Sequence, residues 1–98
     1  MQPFNELIKG HKPVLVDFYA DWCGPCKTMA PILKEVKSSI QDRATIIKID
    51  VDKAQDLAAA YGIRAIPTLL IFKDGKEQWR RSGVCQPDEL KNKILSLV

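Results

Sequence analysis

Two cysteines separated by two residues are the part of this chain best suited to chemistry. Cys23 and Cys26 lie in the run Trp-Cys-Gly-Pro-Cys at residues 22–26, shortly after the apolar run 13–16. At this spacing one turn of backbone brings the two sulfurs close enough to form a disulfide and to open it again. A Cys-x-x-Cys beside a strand–helix pattern is typical of redox proteins, so we predict reversible thiol–disulfide exchange.

A metal site and a purely structural disulfide are the alternatives for this pair. A zinc site needs about four ligands, and outside the pair only Cys85 and His11 remain, neither of them in a second paired motif. A structural disulfide between Cys23 and Cys26 would close a very short loop with little entropic gain. Redox cycling is therefore favoured, and we expect no metal or other cofactor on the chain.

The two thiols take different roles because they occupy different places on the predicted helix. Cys23 lies at or just before the helix N-terminus, where free amides and the helix dipole favour a thiolate, so it is the expected nucleophile. Cys26 lies one turn further, is expected to be more buried, and would attack the mixed disulfide to release the product. Gly24 permits a close approach of substrate backbone. Pro25 lacks an N–H that could stabilise the thiolate, which favours a reducing dithiol over an oxidant.

An aspartate interrupts the apolar strand that leads into this motif. Burial of the Asp17 carboxylate is costly unless the group is paired or neutral, and should raise its pKa. The residue is either a satisfied structural aspartate or a proton acceptor for Cys26. Lys48, near the end of the next predicted strand, is either its charge partner or an ordinary exposed lysine.

The bond between Ile66 and Pro67 precedes another predicted strand. It is either an ordinary trans bond or a cis bond, and the sequence alone does not decide between them. A cis bond would turn the backbone so that Ile66 offers its N–H and C=O to an incoming extended peptide.

The order of elements predicts an α/β fold with a mixed sheet and helices on both faces. The patterns indicate a helix over 3–9, a strand over 13–20, a helix from Pro25 kinked at Pro31, a strand over 44–49, a helix capped by Asp50 or Asp52, strands over 68–72 and 76–81 joined by a turn at Asp74-Gly75, and a last helix with Pro87 in its first turn.

Length and composition predict a single globular domain over residues 1–98. Hydrophobic residues make up 46% and charged residues 28% of the chain, and the net charge of +3 is spread without a basic block that would indicate nucleic acid. The N-terminus lacks the features of a secretory signal, and no apolar run approaches a membrane span. If Met1 is the true start, the expected location is the cytoplasm.

The stretch Val16–Lys27 resembles the thioredoxin family. The resemblance covers essentially the whole chain in colinear order, and its further motifs are Pro31, Tyr61–Arg64, Ile66–Thr68, Phe72–Gly75 and Gly83. It implies a thioredoxin fold in which Cys23 is the nucleophile and Cys26 the resolving thiol.

The resemblance also implies roles for residues around the cysteines. Asp17 matches the family's buried proton-transfer aspartate, and Lys48 matches the lysine beside it. Pro67 matches the cis-proline that faces the disulfide. The surface that docks substrate proteins corresponds to Trp22, Gly24, Pro25, Ile66 and Gly83.

The implied function is that of a protein-disulfide reductase and electron carrier. Such a protein donates electrons to cytosolic reductases and peroxidases, contributes to cell redox homeostasis, and is reduced again by an NADPH-dependent thioredoxin reductase. We expect a monomer with no nucleic-acid or membrane partner. A disulfide oxidase or isomerase and a non-redox binding module are the alternatives.

Three departures from the family pattern are visible. Only two residues precede the first predicted helix where the family has an extra strand, so we expect four strands and a less protected sheet edge. Tyr19 stands where many bacterial members carry tryptophan, and its hydroxyl needs a partner. Cys85 replaces an apolar residue and is either a small buried hydrophobe or a regulatory thiol near the docking surface.

Overall fold

Helices and strands alternate along most of the chain. The computed structural model describes residues 2–98, without the side chain of residue 2. The elements in chain order are α1 (Gln2–Ile8), β1 (Val14–Tyr19), α2 (Gly24–Ile40), a short 3₁₀ turn (Gln41–Arg43), β2 (Thr45–Asp50), α3 (Gln55–Ala60), β3 (Thr68–Lys73), β4 (Lys76–Ser82) and α4 (Pro87–Leu95). Within this part of the chain, no helix is both long enough and apolar enough to cross a bilayer.

The strands of the described chain form one sheet in the order β2-β1-β3-β4. Strand β1 pairs in parallel with β2 and antiparallel with β3, which in turn pairs antiparallel with β4. Residues 2–98 therefore form the predicted α/β architecture, a mixed four-stranded sheet with four helices. Strand β2 is an edge of the sheet formed by these residues.

Two apolar layers sandwich the sheet. One layer packs α2 and α4 against one face, and its largest fully buried members include Leu15, Met29 and Ile94. The other layer contains Phe4 of α1, Leu57 of α3 and the opposite face of the strands. Because both faces of β1 are covered, this strand is apolar at nearly every position. Asp17 is the exception.

The turn between β3 and β4 follows directly from two residue types. Asp74 has φ +54° and Gly75 has φ +79°. Positive φ at both central residues is the requirement of a type I′ hairpin turn, which Asp-Gly satisfies with the least steric cost. The predicted hairpin is confirmed.

The predicted cap of the third helix is wrong. The N-cap of α3 is Ala54, which makes no side-chain capping bond. The Asp50 Oδ1 atom instead accepts the backbone N–H of Asp52 at 2.9 Å, in the turn that leaves β2. An aspartate favours such a turn for the same reason that it favours a cap, since its short side chain reaches a backbone N–H two residues on.

Helix α1 is too short to be stable by itself and depends on its apolar contacts. The Phe4 ring packs edge-to-face on Tyr61 and Phe72, with centroids 5.5 and 5.7 Å apart, and Tyr61 and Phe72 pack on each other in the same way. This aromatic cluster fastens α1 to the sheet and to the end of α3.

We expect Phe4→Ala to lower the free energy of unfolding by about 3–5 kcal/mol, because it removes a buried ring and leaves a cavity. Urea denaturation followed by circular dichroism measures the loss. Leu7→Ala is the matched control, since Leu7 lies on the same helix but is 56% exposed. Its effect should stay within about 0.5 kcal/mol. Equal losses for the two variants would contradict the anchoring role of Phe4.

Candidate active site

A disulfide joins Cys23 and Cys26 at the start of α2. The Cα atoms are 5.3 Å apart, and Cys23 is the N-cap residue of the helix, as predicted. Its Sγ accepts the backbone N–H of Cys26 at 3.1 Å. The N–H of Cys23 donates to the Ala20 carbonyl at 3.2 Å, which closes the tight turn between β1 and α2. The first sulfur therefore sits where the helix presents its unpaired amides.

The prediction that Cys26 is more buried than Cys23 is wrong for the disulfide form. Cys23 is 4% exposed and Cys26 is 6% exposed. Both belong to one small cluster against which Tyr19, Val51 and Ile66 pack. Because the bonded sulfurs also cover each other, position on the helix does not by itself determine their exposure.

Asp17 lies inside the sheet, only 1% exposed, with no hydrogen-bond partner for its Oδ1 within residues 2–98. Burial raises its pKa to about 6, and the positive charge of Lys48 partly opposes that rise. Lys48 is directly opposite Asp17 in the parallel register of β1 and β2, and is itself exposed. A satisfied structural aspartate would have its oxygens hydrogen-bonded. The orphaned Oδ1 instead favours the proton-acceptor interpretation.

A cleft of about 150 Å³ opens beside the disulfide. Its walls come from the end of β1, the start of α2 and the middle of β2, and they include Tyr19, Cys26 and Lys48. Solvent in this cleft therefore reaches both the second cysteine and the lysine opposite Asp17.

Trp22 stands beside the disulfide on the surface, with 70% of its area exposed. Its indole N–H donates to Asp52 Oδ2 at 2.8 Å, and this bond holds the ring against the loop after β2. Sequence reasoning assigned Asp52 only to a possible helix cap and missed this contact. The signal for it was the topology, since β1 and β2 are parallel and their carboxyl ends meet at one edge of the sheet.

The loop before β3 reaches the same edge. The Ile66–Pro67 bond is cis, and Ile66 packs on the cysteine cluster. The Pro67 carbonyl accepts the N–H of Gly83 at 2.8 Å, which ties the end of β4 to this loop. The tertiary structure thus brings these three residues to the same side of the molecule as the exposed positions around the cysteines, which are Trp22, Gly24 and Pro25.

Cys85 is a free cysteine with 0% exposure in the layer under α2 and α4. Its backbone N–H donates to the Met29 sulfur at 3.4 Å, and burial is the main cause that raises the pKa of its thiol. An inaccessible, protonated thiol fits the small-hydrophobe interpretation and not the regulatory one.

Comparison with known proteins agrees with this geometry. The family model described as Thioredoxin matches residues 1–96. The chain is 48% identical over 94 residues to a chloroplastic thioredoxin Y of Oryza sativa, covering 95% of this chain and 56% of that protein. It is 49% identical over 88 residues to a thioredoxin-like protein of Synechocystis, covering 89% and 84%. A mutant thioredoxin from Halobacterium salinarum superimposes with a TM-score of 0.88 at 40% identity, covering 99% of this chain and 84% of that one.

The chain belongs to the thioredoxin family. Its cysteine pair is joined as a disulfide at the start of α2, which is the position that thiol-disulfide exchange requires. The chain spans just over half the length of the rice protein and most of the length of the cyanobacterial one.

The buried carboxyl predicts a pH-dependent stability. Because the pKa of Asp17 is raised in the folded chain to about 6, the folded state binds more protons than the unfolded state between about pH 4 and pH 6. Stability contributed by this group is therefore present below about pH 4 and lost as pH rises through 6. We expect Asp17→Asn to be more stable relative to the parent at pH 7.5 than at pH 4, by about 2–3 kcal/mol.

Urea denaturation of both proteins at the two pH values measures this difference. The exposed Asp42→Asn is the matched control and should follow the parent at both. An Asp17→Asn effect that is the same at pH 4 and pH 7.5 would show that the carboxyl does not titrate in this range.

Proposed function

We propose that this chain reduces disulfide bonds of other proteins by dithiol–disulfide exchange through Cys23 and Cys26. The observation that carries the proposal is the disulfide at the N-terminus of α2, with Cys23 as the N-cap and the Cys26 N–H aimed at its sulfur. The same N–H and the helix dipole favour a thiolate on Cys23 in the reduced protein.

The reaction proceeds in two exchanges. The Cys23 thiolate attacks one sulfur of the target disulfide, forming a mixed disulfide and releasing the other target sulfur as a thiolate. The Cys26 thiolate then attacks the Cys23 sulfur, closes the internal disulfide and releases the second target thiolate. Two electrons pass to the target, so the pair must be reduced again before the next cycle.

Asp17 is proposed to accept the proton of Cys26 before the second exchange. A group with a pKa of about 6 is mostly ionised at pH 7, and burial leaves it with a higher affinity for a proton than an exposed carboxylate has. The unpartnered Oδ1 supports this role. Lys48 is assigned to the same step, because its charge acts on Asp17 and its side chain borders the cleft beside Cys26.

Substrate proteins are proposed to dock around the exposed edge of the disulfide. Trp22 supplies an exposed aromatic surface, and Gly24 and Pro25 leave the approach to Cys23 open. The backbone N–H and C=O of Ile66 make no turn, loop or cap hydrogen bond within the described chain, so both groups are available to an extended peptide. Pro67 and Gly83, which are joined by a backbone hydrogen bond, form the adjoining part of this docking surface.

The remaining assignments are proposed from the family resemblance. We propose a monomeric single domain over residues 1–98 that acts in the cytoplasm as an electron carrier. It would pass electrons to reductases and peroxidases, contribute to redox homeostasis and receive electrons from NADPH through a thioredoxin reductase.

A disulfide oxidase or isomerase is the rival function, and Pro25 argues against it because proline has no N–H to donate to the Cys23 thiolate. A measured reduction potential above about −200 mV would favour the rival.

Reduction of insulin disulfides in the presence of dithiothreitol or a thioredoxin reductase tests the function. We expect turnover by the parent chain, none by Cys23→Ser, and a trapped mixed disulfide with Cys26→Ser, because the nucleophile remains and the resolving thiol is gone. Cys85→Ala is the matched control and should retain activity. Absence of turnover by the parent chain, together with partner binding that survives Cys23→Ser, would indicate a non-redox binding module.

The role of Asp17 has its own test. We expect Asp17→Asn to slow the decay of the mixed disulfide at pH 7 on the order of 10²-fold, because a general base is lost. Acid quenching and mass spectrometry of a single turnover measure the lifetime of the intermediate. Asp42→Asn serves again as the control. An unchanged lifetime in Asp17→Asn would remove the carboxyl from the mechanism.

A further inference from the structure

Tyr19, Asp17 and Lys48 lie on one face of the sheet. Residues two apart on a strand point to the same side, so the side chains of Asp17 and Tyr19 share a face of β1. Lys48 is the direct neighbour of Asp17 on β2. The Lys48 ammonium lies over the Tyr19 ring, with its nitrogen 4.6 Å from the ring centroid.

The Tyr19 ring is the partner that the described residues provide for this ammonium. Lys48 makes no ion pair within 4.0 Å and no side-chain hydrogen bond among residues 2–98, and its side chain is exposed. A four-carbon stem with that exposure has many rotamers, most of which would point the charge into solvent. Tyr19 itself is held in place because it packs against the cysteine cluster.

We propose that Tyr19 is a positioning residue, which holds the Lys48 ammonium beside the active-site cleft by a cation–π contact and so keeps its charge close to Asp17. This inference rests on the proposed role of Asp17 in proton transfer and deepens it. The ring face attracts the cation electrostatically, and its attraction needs no hydroxyl. The tyrosine hydroxyl is therefore free to face solvent in this role.

Few other charged groups near Asp17 could act on its carboxyl in place of Lys48. Leu69 of β3, on the other side of β1, is apolar. Cys26 of α2 carries no proton while it is in the disulfide. Asp21 and Lys27 also border the cleft, and Asp50 lies opposite Tyr19 on β2 with its Oδ1 engaged by the backbone of Asp52.

Titration of the Asp17 carboxyl by nuclear magnetic resonance in the oxidised protein tests the proposal. We expect Tyr19→Leu to raise the proton affinity of Asp17 about twofold to fivefold, because the positive charge moves away. Tyr19→Phe, which keeps the ring, should leave the titration unchanged. Lys48→Met should raise the proton affinity at least as much as Tyr19→Leu, and adding Tyr19→Leu to Lys48→Met should cause no further rise.

A merely structural role for Tyr19 gives different results. Loss of packing would admit water, which favours the carboxylate and lowers the proton affinity. An unchanged or lowered affinity in Tyr19→Leu, or an equal rise with and without Lys48, would overturn the proposal. If Tyr19→Leu does not fold, the parent protein still decides the matter, since a ring held over Lys48 shifts the resonances of its ε-CH₂ protons upfield and Tyr19→Phe must preserve that shift.

These measurements are independent of catalysis. If Asp17 is not the base for Cys26, the mixed-disulfide lifetime in Asp17→Asn reveals it, whereas the titration still reports whether Tyr19 places the lysine.

Discussion

The short turn from β1 into α2 is the constraint on which the rest of the site depends. β1 is held in the middle of the sheet by β2 on one side and β3 on the other, so its direction cannot vary. Only residues 20–23 separate the end of β1 from the start of α2, and the hydrogen bond from the Cys23 N–H to the Ala20 carbonyl closes the connection. Because the strand is fixed and the turn is short, the Cys23 sulfur lies at the N-terminus of α2, which is the positive end of the helix dipole.

Strand β1 also carries one residue that is unfavourable in its position, the buried Asp17. Placing a carboxyl at a central position of a fully covered strand costs stability, since burial penalises its charged form and its Oδ1 has no hydrogen-bond partner among residues 2–98. The proposed proton transfer from Cys26 would account for this carboxyl, because burial is what raises its pKa to about 6.

Sequence reasoning succeeded where the cause was local. The turn at Asp74 and Gly75 needed only the φ preferences of two residue types, and the central place of β1 followed from an apolar run that only Asp17 interrupts. Sequence reasoning failed where the same residue type favours two different local structures. Asp50 can cap a helix or close a turn after a strand, and the course of the chain beyond β2 selected the turn. The relative exposure of the two cysteines depended on side chains from distant segments, including Val51 and Ile66.

The amino-acid sequence by itself determined the order of helices and strands, the cysteine pair and the start of α2, because each follows from residue types and their spacing along the chain. Only the tertiary structure decided which residues surround that pair. Two of the features around the pair are contacts between distant segments: the hydrogen bond between Trp22 and Asp52, and the Tyr19 ring under Lys48. The third is the cis bond before Pro67, which is one of two backbone states that the local sequence allows. Parallel pairing of β1 with β2 and antiparallel pairing of β1 with β3 brought these segments to one edge, and side-chain contacts across that edge are a property of the folded chain alone.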